Sequence, residues 1–299
     1  MKRTFFILIG VAISICTSCD QTEKKQLSDE EIWKLGWRMI ASSMDENYLA
    51  ADLQFDSLRS STEHMDRSFL LQGLEVKNQL GKIDDIKTII EAQDDKILQD
   101  ICSEDFLSSF EICANFAEEK VDNKALQIEL IKMYINDQAV RGNLMDNLID
   151  KYQIDSNEIT KDTGGKVVDE SNRIRLNEII TSYGFPTRKL VGKDAMYGIF
   201  LMIQHSDADK EWQQSQLVNI EQAVKDGDMM GSNYAYLYDR IKVNSGQKQR
   251  YGTQFANVDP INRVVEIAET EDPENLDERR MAMGIMPIEM YKAFVLKNL

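Results

Sequence analysis

The sequence is short of the residues that break helices, and equally short of those that build metal or nucleophile centres. Its 299 residues include only four prolines (Pro186, Pro260, Pro273 and Pro287), all in the C-terminal part. The first 140 residues hold only Gly10, Gly36, Gly73 and Gly81, so that half is expected to be helical. There are two histidines, His64 and His205, far apart, and four cysteines, none in a Cys–His cluster with zinc spacing. A histidine-rich metal site is excluded, and no cofactor is expected. Gly-x-Ser-x-Gly and His-Glu-x-x-His are absent, and Gly164-Gly165 leads into Lys166-Val167 without phosphate-loop spacing. Basic residues are outnumbered, 35 against 51 acids, for a formal net charge of −16. A phosphate-backbone partner needs clustered Lys and Arg, so nucleic acid is excluded. Two-carboxylate glycosidase chemistry stays open, because 51 acids leave many unassignable pairs.

What is present is a hydrophobic content of 42%, enough for a packed core. At the amino end, Lys2 and Arg3 precede an apolar run over residues 5–15, then Cys16-Thr17-Ser18-Cys19 and a polar stretch from Asp20. The run is too short to cross a bilayer, which takes roughly 20 residues. It resembles a bacterial lipoprotein signal, in which a cysteine after small residues is cleaved and acylated; Cys16 stands where a branched aliphatic is usual. The resemblance implies a signal peptide over residues 1–18, a lipidated Cys19 and a polar tether over 19–28. The lipid on Cys19 would hold the protein to a membrane of the bacterial cell envelope, on the periplasmic or surface face. An ordinary secretory signal cut after Ser18 is the alternative. Cleavage removes Lys2 and Arg3 and no acid, leaving a charge near −18 (−16 − 2). An anionic bilayer surface would repel such a chain, so the lipid rather than a basic patch must hold it.

The fold is expected to be mainly α: a helical array over residues 29–122, then an α-rich domain over 123–299 with a small β-hairpin. Ser28 with Glu31 forms a capping box for the first helix. The short, evenly turned helices that follow resemble tetratricopeptide-type pairs, although no period of about 34 residues is clean; a plain bundle is the alternative. Residues 125–152 read as one long amphipathic helix, 161–167 as a loop and 194–205 as a buried central helix. Ser206 is expected to cap the next helix, with Asp207 and Asp209 in its first turn. Residues 249–255 and 263–267 read as the two strands of the hairpin, with Asp259-Pro260 between them. Asn275 with Glu278 opens the last helix pair. Cys102 and Cys113 fall in a segment read as helical. Eleven residues of helix span about 16 Å, too far for a bridge, so two buried thiols are expected.

Several motifs occur in order: Asp137-Gln138 with Arg141, Gly184-Phe185-Pro186, Gln204-His205-x-Asp207, Asp239-Arg240, Gly246-x-x-Gln249-x-Tyr251-Gly252-Thr253-Gln254, and Arg279-Arg280 with Gly284. Together they resemble an uncharacterised bacterial domain family, a domain of unknown function, over roughly residues 126–294. The resemblance implies no activity.

His205 ends an apolar helix, where the dipole and free carbonyls favour the imidazolium, and Asp207 acts in the same direction. It is the candidate general acid or base, with Asp207 or Asp239 orienting it. As a strand, residues 249–254 would send Gln249, Tyr251 and Thr253 to one face and Gln254 to the other. With Gln204 and Arg240 these are the candidate ligand-binding residues for a neutral polar ligand. Each has a bland alternative: a common helix-end histidine, a polar hairpin knitting helices, a structural salt bridge at Arg240, and an i, i+4 brace at Asp137 and Arg141. Two functions follow. One is a lipid-anchored binding protein whose N-terminal helices recruit a protein partner. The other is an envelope hydrolase using His205. Whether the protein is an enzyme stays open.

Overall fold

The computed structural model describes residues 27–63, 65–116, 119–160 and 164–299. The signal peptide, Cys19, most of the tether and His64 lie outside the described residues. The described chain is mainly α with one two-stranded antiparallel hairpin. No helix among the described residues is long and apolar enough to cross a membrane.

The first part comprises α1 (Asp29–Met44), α2 (Tyr48–Arg59), α3 (Arg67–Gln79), α4 (Ile83–Glu91) and α5 (Asp95–Ile101). The capping box forms as expected: the Glu31 amide donates to Ser28 Oγ at 3.2 Å, and the Ser28 amide to Glu31 Oε2 at 2.8 Å. Trp33, Met39, Phe55, Leu58, Phe69, Leu74, Ile86 and Ile90 fill one core. Two glycines set how closely its helices approach. A Cβ on Gly36 would sit 2.3 Å from the Phe69 ring, and one on Gly73 2.1 Å from the Phe55 ring.

Cys102 and Cys113 form a disulfide, with Cα atoms 5.0 Å apart, which corrects the expectation of free thiols. That expectation assumed a continuous helix. Instead α5 stops at Ile101 and the chain folds back through single 3-10 turns at Asp105–Leu107 and Glu111–Asn115. Ser108 Oγ donates to the Asp105 carbonyl at 2.6 Å, the local competition that makes serine a poor helix-interior residue.

The second part comprises α6 (Lys124–Ala139), α7 (Asp146–Tyr152), α8 (Gly165–Tyr183), α9 (Arg188–Val191), α10 (Lys193–Gln204), α11 (Lys210–Ser215), α12 (Leu217–Lys225), α13 (Gly231–Asn244), β1 (Phe255–Asp259), β2 (Val264–Ile267), α14 (Leu276–Ala282) and α15 (Ile288–Lys297). The central helix α10 is buried through Ala195, Met196, Ile199, Phe200, Met202 and Ile203 and packs on α6. A second core surrounds it, separate from the first.

Several boundaries differ from the sequence reading. The long helix expected over 125–152 is two. Gly142, at φ +87°, and Met145, at φ +53°, turn the chain between them, and the Asn143 amide closes onto the Gln138 carbonyl. Helix α8 begins at Gly165, inside the expected loop. Asp209, not Ser206, caps α11 by accepting from the Trp212 amide at 3.1 Å; Ser206 Oγ instead donates back to the Met202 carbonyl. Asn275 makes no capping bond to α14; its amide side chain donates to Asp272. The first hairpin strand starts only at Phe255, so residues 249–254 do not alternate faces as a strand would.

The two parts meet at specific contacts. Trp33 Nε1 donates to the Ile285 carbonyl at 3.2 Å. Arg188 pairs with Asp100 and Glu119, and Lys193 Nζ donates to Ser103 Oγ at 2.6 Å.

Candidate functional site

The expected site residues fall into two groups with different jobs. The first is the loop over residues 249–254. Asp239, fully buried on α13, accepts from the amides of Arg250 (2.8 Å), Tyr251 (3.0 Å) and Thr253 (3.0 Å) and from Thr253 Oγ1 (3.0 Å). Burial pushes its carboxyl up, and these donors work against that push. Gln249, also fully buried, donates from Nε2 to the Gln254 and Ala268 carbonyls and accepts the Gln254 amide on Oε1. Arg280 grips the loop as well, through the Tyr251 carbonyl at 2.5 Å and the Gly252 carbonyl at 3.2 Å. Gly252 sits at φ +66°, the conformation that favours glycine, with Leu276 and Ile288 side chains 3.3 Å from where a Cβ would be. Tyr251 is buried, with the Tyr234 and Tyr238 rings edge-on at 6.3 and 5.9 Å, and burial pushes its hydroxyl up to about 12. Gln254 Nε2 donates to Thr253 Oγ1 at 3.1 Å. The hydrogen-bonding groups expected to meet a ligand are therefore largely spent on shaping this loop.

The second group gathers around His205, the residue that follows α10 and caps it. Its Nδ1 lies 2.9 and 3.0 Å from the two oxygens of Asp137, a fully buried carboxylate on α6. Asp137 also accepts from Gln138 Nε2 at 2.8 Å and Arg141 Nη1 at 3.2 Å, and Arg141 Nη2 reaches Asp169 at 2.7 Å. The orienting carboxylate is thus Asp137, in place of the expected Asp207 or Asp239. Asp239 is committed to the loop, and Asp207 turns to Arg240. That ion pair is two-pronged, with Nε at 3.0 Å, and Gln213 and Asn244 each donate to the same carboxylate at 3.2 Å. Burial alone would raise the Asp207 carboxyl; the Arg240 guanidinium, with Gln213 and His205, brings it below the usual value. Gln204, the last residue of α10, accepts from Gln213 Nε2 on its carbonyl. His205 is mostly covered, at 15% side-chain exposure, and its Nε2 has no hydrogen bond among the described residues.

Asp137, Asp169 and His205 present ligand-type atoms within 4.8 Å of one another. Arg141 already bridges the two carboxylates, and both Asp137 oxygens face His205 Nδ1. The positive charge such a cluster needs is supplied by a side chain. The arrangement is a histidine held through Nδ1 by a buried carboxylate.

A third feature was not expected from sequence. A cleft of about 710 Å³ opens where the two parts meet, walled by α3 and the segment after α5 on one side and by α7, α9, α10 and the α12–α13 turn on the other. Arg188, Asp228, Tyr134, Tyr197 and Met229 line it. Only its charged and aromatic composition was visible in sequence, scattered from Arg67 to Asn233.

The class these features define is a mainly α protein with a buried histidine–aspartate pair, a pinned polar loop and an inter-part cleft. Residues 124–298 match the model of DUF6624, a family of unknown function, and the chain belongs to that family. No curated protein and no solved structure matches the chain.

Proposed function

We propose that the protein is a lipid-anchored component of the bacterial cell envelope that binds a polar ligand in the cleft between its helical array and its family domain. The cleft carries this reading. Its volume of about 710 Å³ lies within the usual small-molecule range of about 300–1,000 Å³, and its wall mixes apolar and aromatic surface with charged groups of both signs. The lipobox-like residues 16–19 support export. So does the Cys102–Cys113 disulfide, because disulfides persist in oxidising compartments. A protein partner for the array is supported by Leu49 and Leu53, one turn apart on α2 and 70% and 69% exposed.

Mass spectrometry of protein taken from cell membranes should find an acylated Cys19 as the first residue; an intact Met1 without acyl groups overturns the anchor. Native mass spectrometry of the same material should show a small-molecule adduct that Tyr197→Ala removes. Protein free of adduct, or an adduct indifferent to that change, overturns the cleft reading.

A second reading, an envelope hydrolase, is favoured by the His205–Asp137 contact. There His205 Nε2 takes a proton from water as the water oxygen attacks an ester carbonyl, then gives it to the departing alkoxide as the C–O bond breaks, and Asp137 positions the ring. His205→Gln should then abolish turnover of a panel of nitrophenyl esters and glycosides with little change in melting temperature. Absence of turnover in the native protein, or a large loss of stability in the variant, counts against it.

A further inference from the structure

The cleft has an acceptor-seeking side and a cation-seeking side. Arg188, at the start of α9, is held by two carboxylates: Asp100 from the array, and Glu119, whose Oε1 accepts from Nε at 2.5 Å. These contacts fix the guanidinium plane, yet its third nitrogen, Nη2, is buried with no hydrogen-bond partner. Buried N–H groups are nearly always met, so an orphan on a residue that lines the cleft marks where an acceptor belongs. A carboxylate suits it best, because guanidinium and carboxylate match in shape and charge.

Asp228, in the turn before α13, lines the same cleft. Among the described residues no Lys, Arg or His nitrogen lies within ion-pair distance of it. Burial and the nearby Asp226 carboxylate push its carboxyl up against the Arg188 amide and guanidinium, so an arriving cation would be favoured there. Tyr134 and Tyr197 meet edge-on at 5.9 Å in the same wall, and Tyr197 is 46% exposed. Their rings offer apolar area to a side chain and a negative face to an ammonium group.

We propose that this cleft takes a zwitterion, a free amino acid or a short peptide, with its carboxylate on Arg188 and its ammonium on Asp228. The proposal rests on the cleft reading above. The volume of about 710 Å³ exceeds what one amino acid fills, and favours the peptide.

The test is calorimetric titration of the mature protein with four probes: L-phenylalanine, the tripeptide Phe-Ala-Ala, its C-terminal amide and its N-acetyl form. The free tripeptide should bind, with the single amino acid weaker. Blocking either end should weaken binding at least tenfold. Asp228→Asn, which breaks no ion pair, should weaken the free tripeptide tenfold and leave the N-acetyl form unchanged. Arg188→Gln should erase the difference between acid and amide, with circular dichroism confirming that it folds. Equal binding of blocked and free forms, or no binding by any probe, overturns the zwitterion. A co-purified adduct that none of the probes displaces would sink this proposal while leaving the cleft as a ligand site.

Discussion

The array and the family domain each bury charge, and they neutralise it in opposite ways. In the array, Lys77 is 1% exposed and is met by three carboxylates: Asp52 at 2.7 Å, Asp56 at 2.9 Å and Asp85 at 3.4 Å. Lys82 completes the network on the other Asp52 oxygen at 2.5 Å. Burial alone would lower the Lys77 ammonium; Asp52 and Asp56 outweigh it and raise it. In the family domain, Asp239 and Arg280 are as deeply buried but bind different groups of one loop. The carboxylate takes its N–H groups and the guanidinium its carbonyls. Charge in the array fastens helix to helix, whereas charge in the domain dictates the path of six residues. The polar motif Gln249-x-Tyr251-Gly252-Thr253-Gln254 is thereby explained as loop architecture, and the open chemistry shifts to His205 and the cleft.

The largest effect expected from this contrast is at Lys77. Lys77→Met leaves Asp52 buried with one cation in place of two, and should cost about 3–5 kcal/mol in denaturant unfolding. A neutral result would mean that the carboxylates reach water when the lysine is gone, and the contrast would fail on the array side. Asp239→Asn is the matching change in the domain. Its amide nitrogen would face backbone donors, at about 1–3 kcal/mol for each group left unmet. Amide exchange should rise at residues 250–253 and stay unchanged in the array. Exchange rising across the whole chain would instead make Asp239 a global support.

Much of this fold was visible in the sequence, and the reasons separate what was visible from what was not. Scarcity of proline and glycine announced the helices, and Ser28 with Glu31 marked the first of them within a residue. The turn at Asp259-Pro260 also lay where its residues suggested, with Asp259 accepting the Ile261 and Asn262 amides. These are local effects. The disulfide was missed because it depends on α5 stopping at Ile101, and helix ends are the least legible boundaries in a sequence. Asp137 was noticed only as a brace for Arg141, four residues away. Its contact with His205 spans 68 positions and has no local signature. The cleft brings Arg67 and Asp228 to its two facing sides, and no periodicity carries such a pairing. Chemistry-bearing residues were legible as residue types, and their partners were not.

Removing the disulfide comes next in size. Cys102→Ser with Cys113→Ser frees an 11-residue loop, worth about 2–3 kcal/mol by chain entropy. The segment carries Ser103 and Glu104, which hold Lys193, and Phe106, which lines the cleft. Ligand binding in the cleft should therefore weaken along with array stability, while exchange at residues 250–253 stays as it was. If the double variant left the cleft unaffected, the array would be a separate support rather than half of the site.

The smallest effect is a difference in pH and salt response between Asp207 and the Lys77 cluster. Both Asp207 and Asp52 have carboxyls held below the ordinary 3.8: burial opposes this in each, and Arg240 in one case and Lys77 with Lys82 in the other prevail. A carboxyl lower in the folded than in the unfolded chain contributes stability that is present above the unfolded value and is lost as the pH falls through the folded one. Lys77 has the opposite sign: its contribution is present below 10.5 and disappears only as the pH rises through its raised value. The Asp207 side chain is 37% exposed, so solvent screens its pair with Arg240 and the contribution stays under about 1 kcal/mol. Denaturant titrations of wild type and Asp207→Asn should differ by that amount at pH 7. The gap should close below about pH 4 and shrink in molar salt, where the Debye length is about 3 Å. The cost of Lys77→Met should hold from pH 5 to 9 and change little with salt, because Lys77 and its nearest partner, Asp52, meet out of water. Equal salt sensitivity at the two sites would show that the array's buried ions are no drier than the domain's exposed pair.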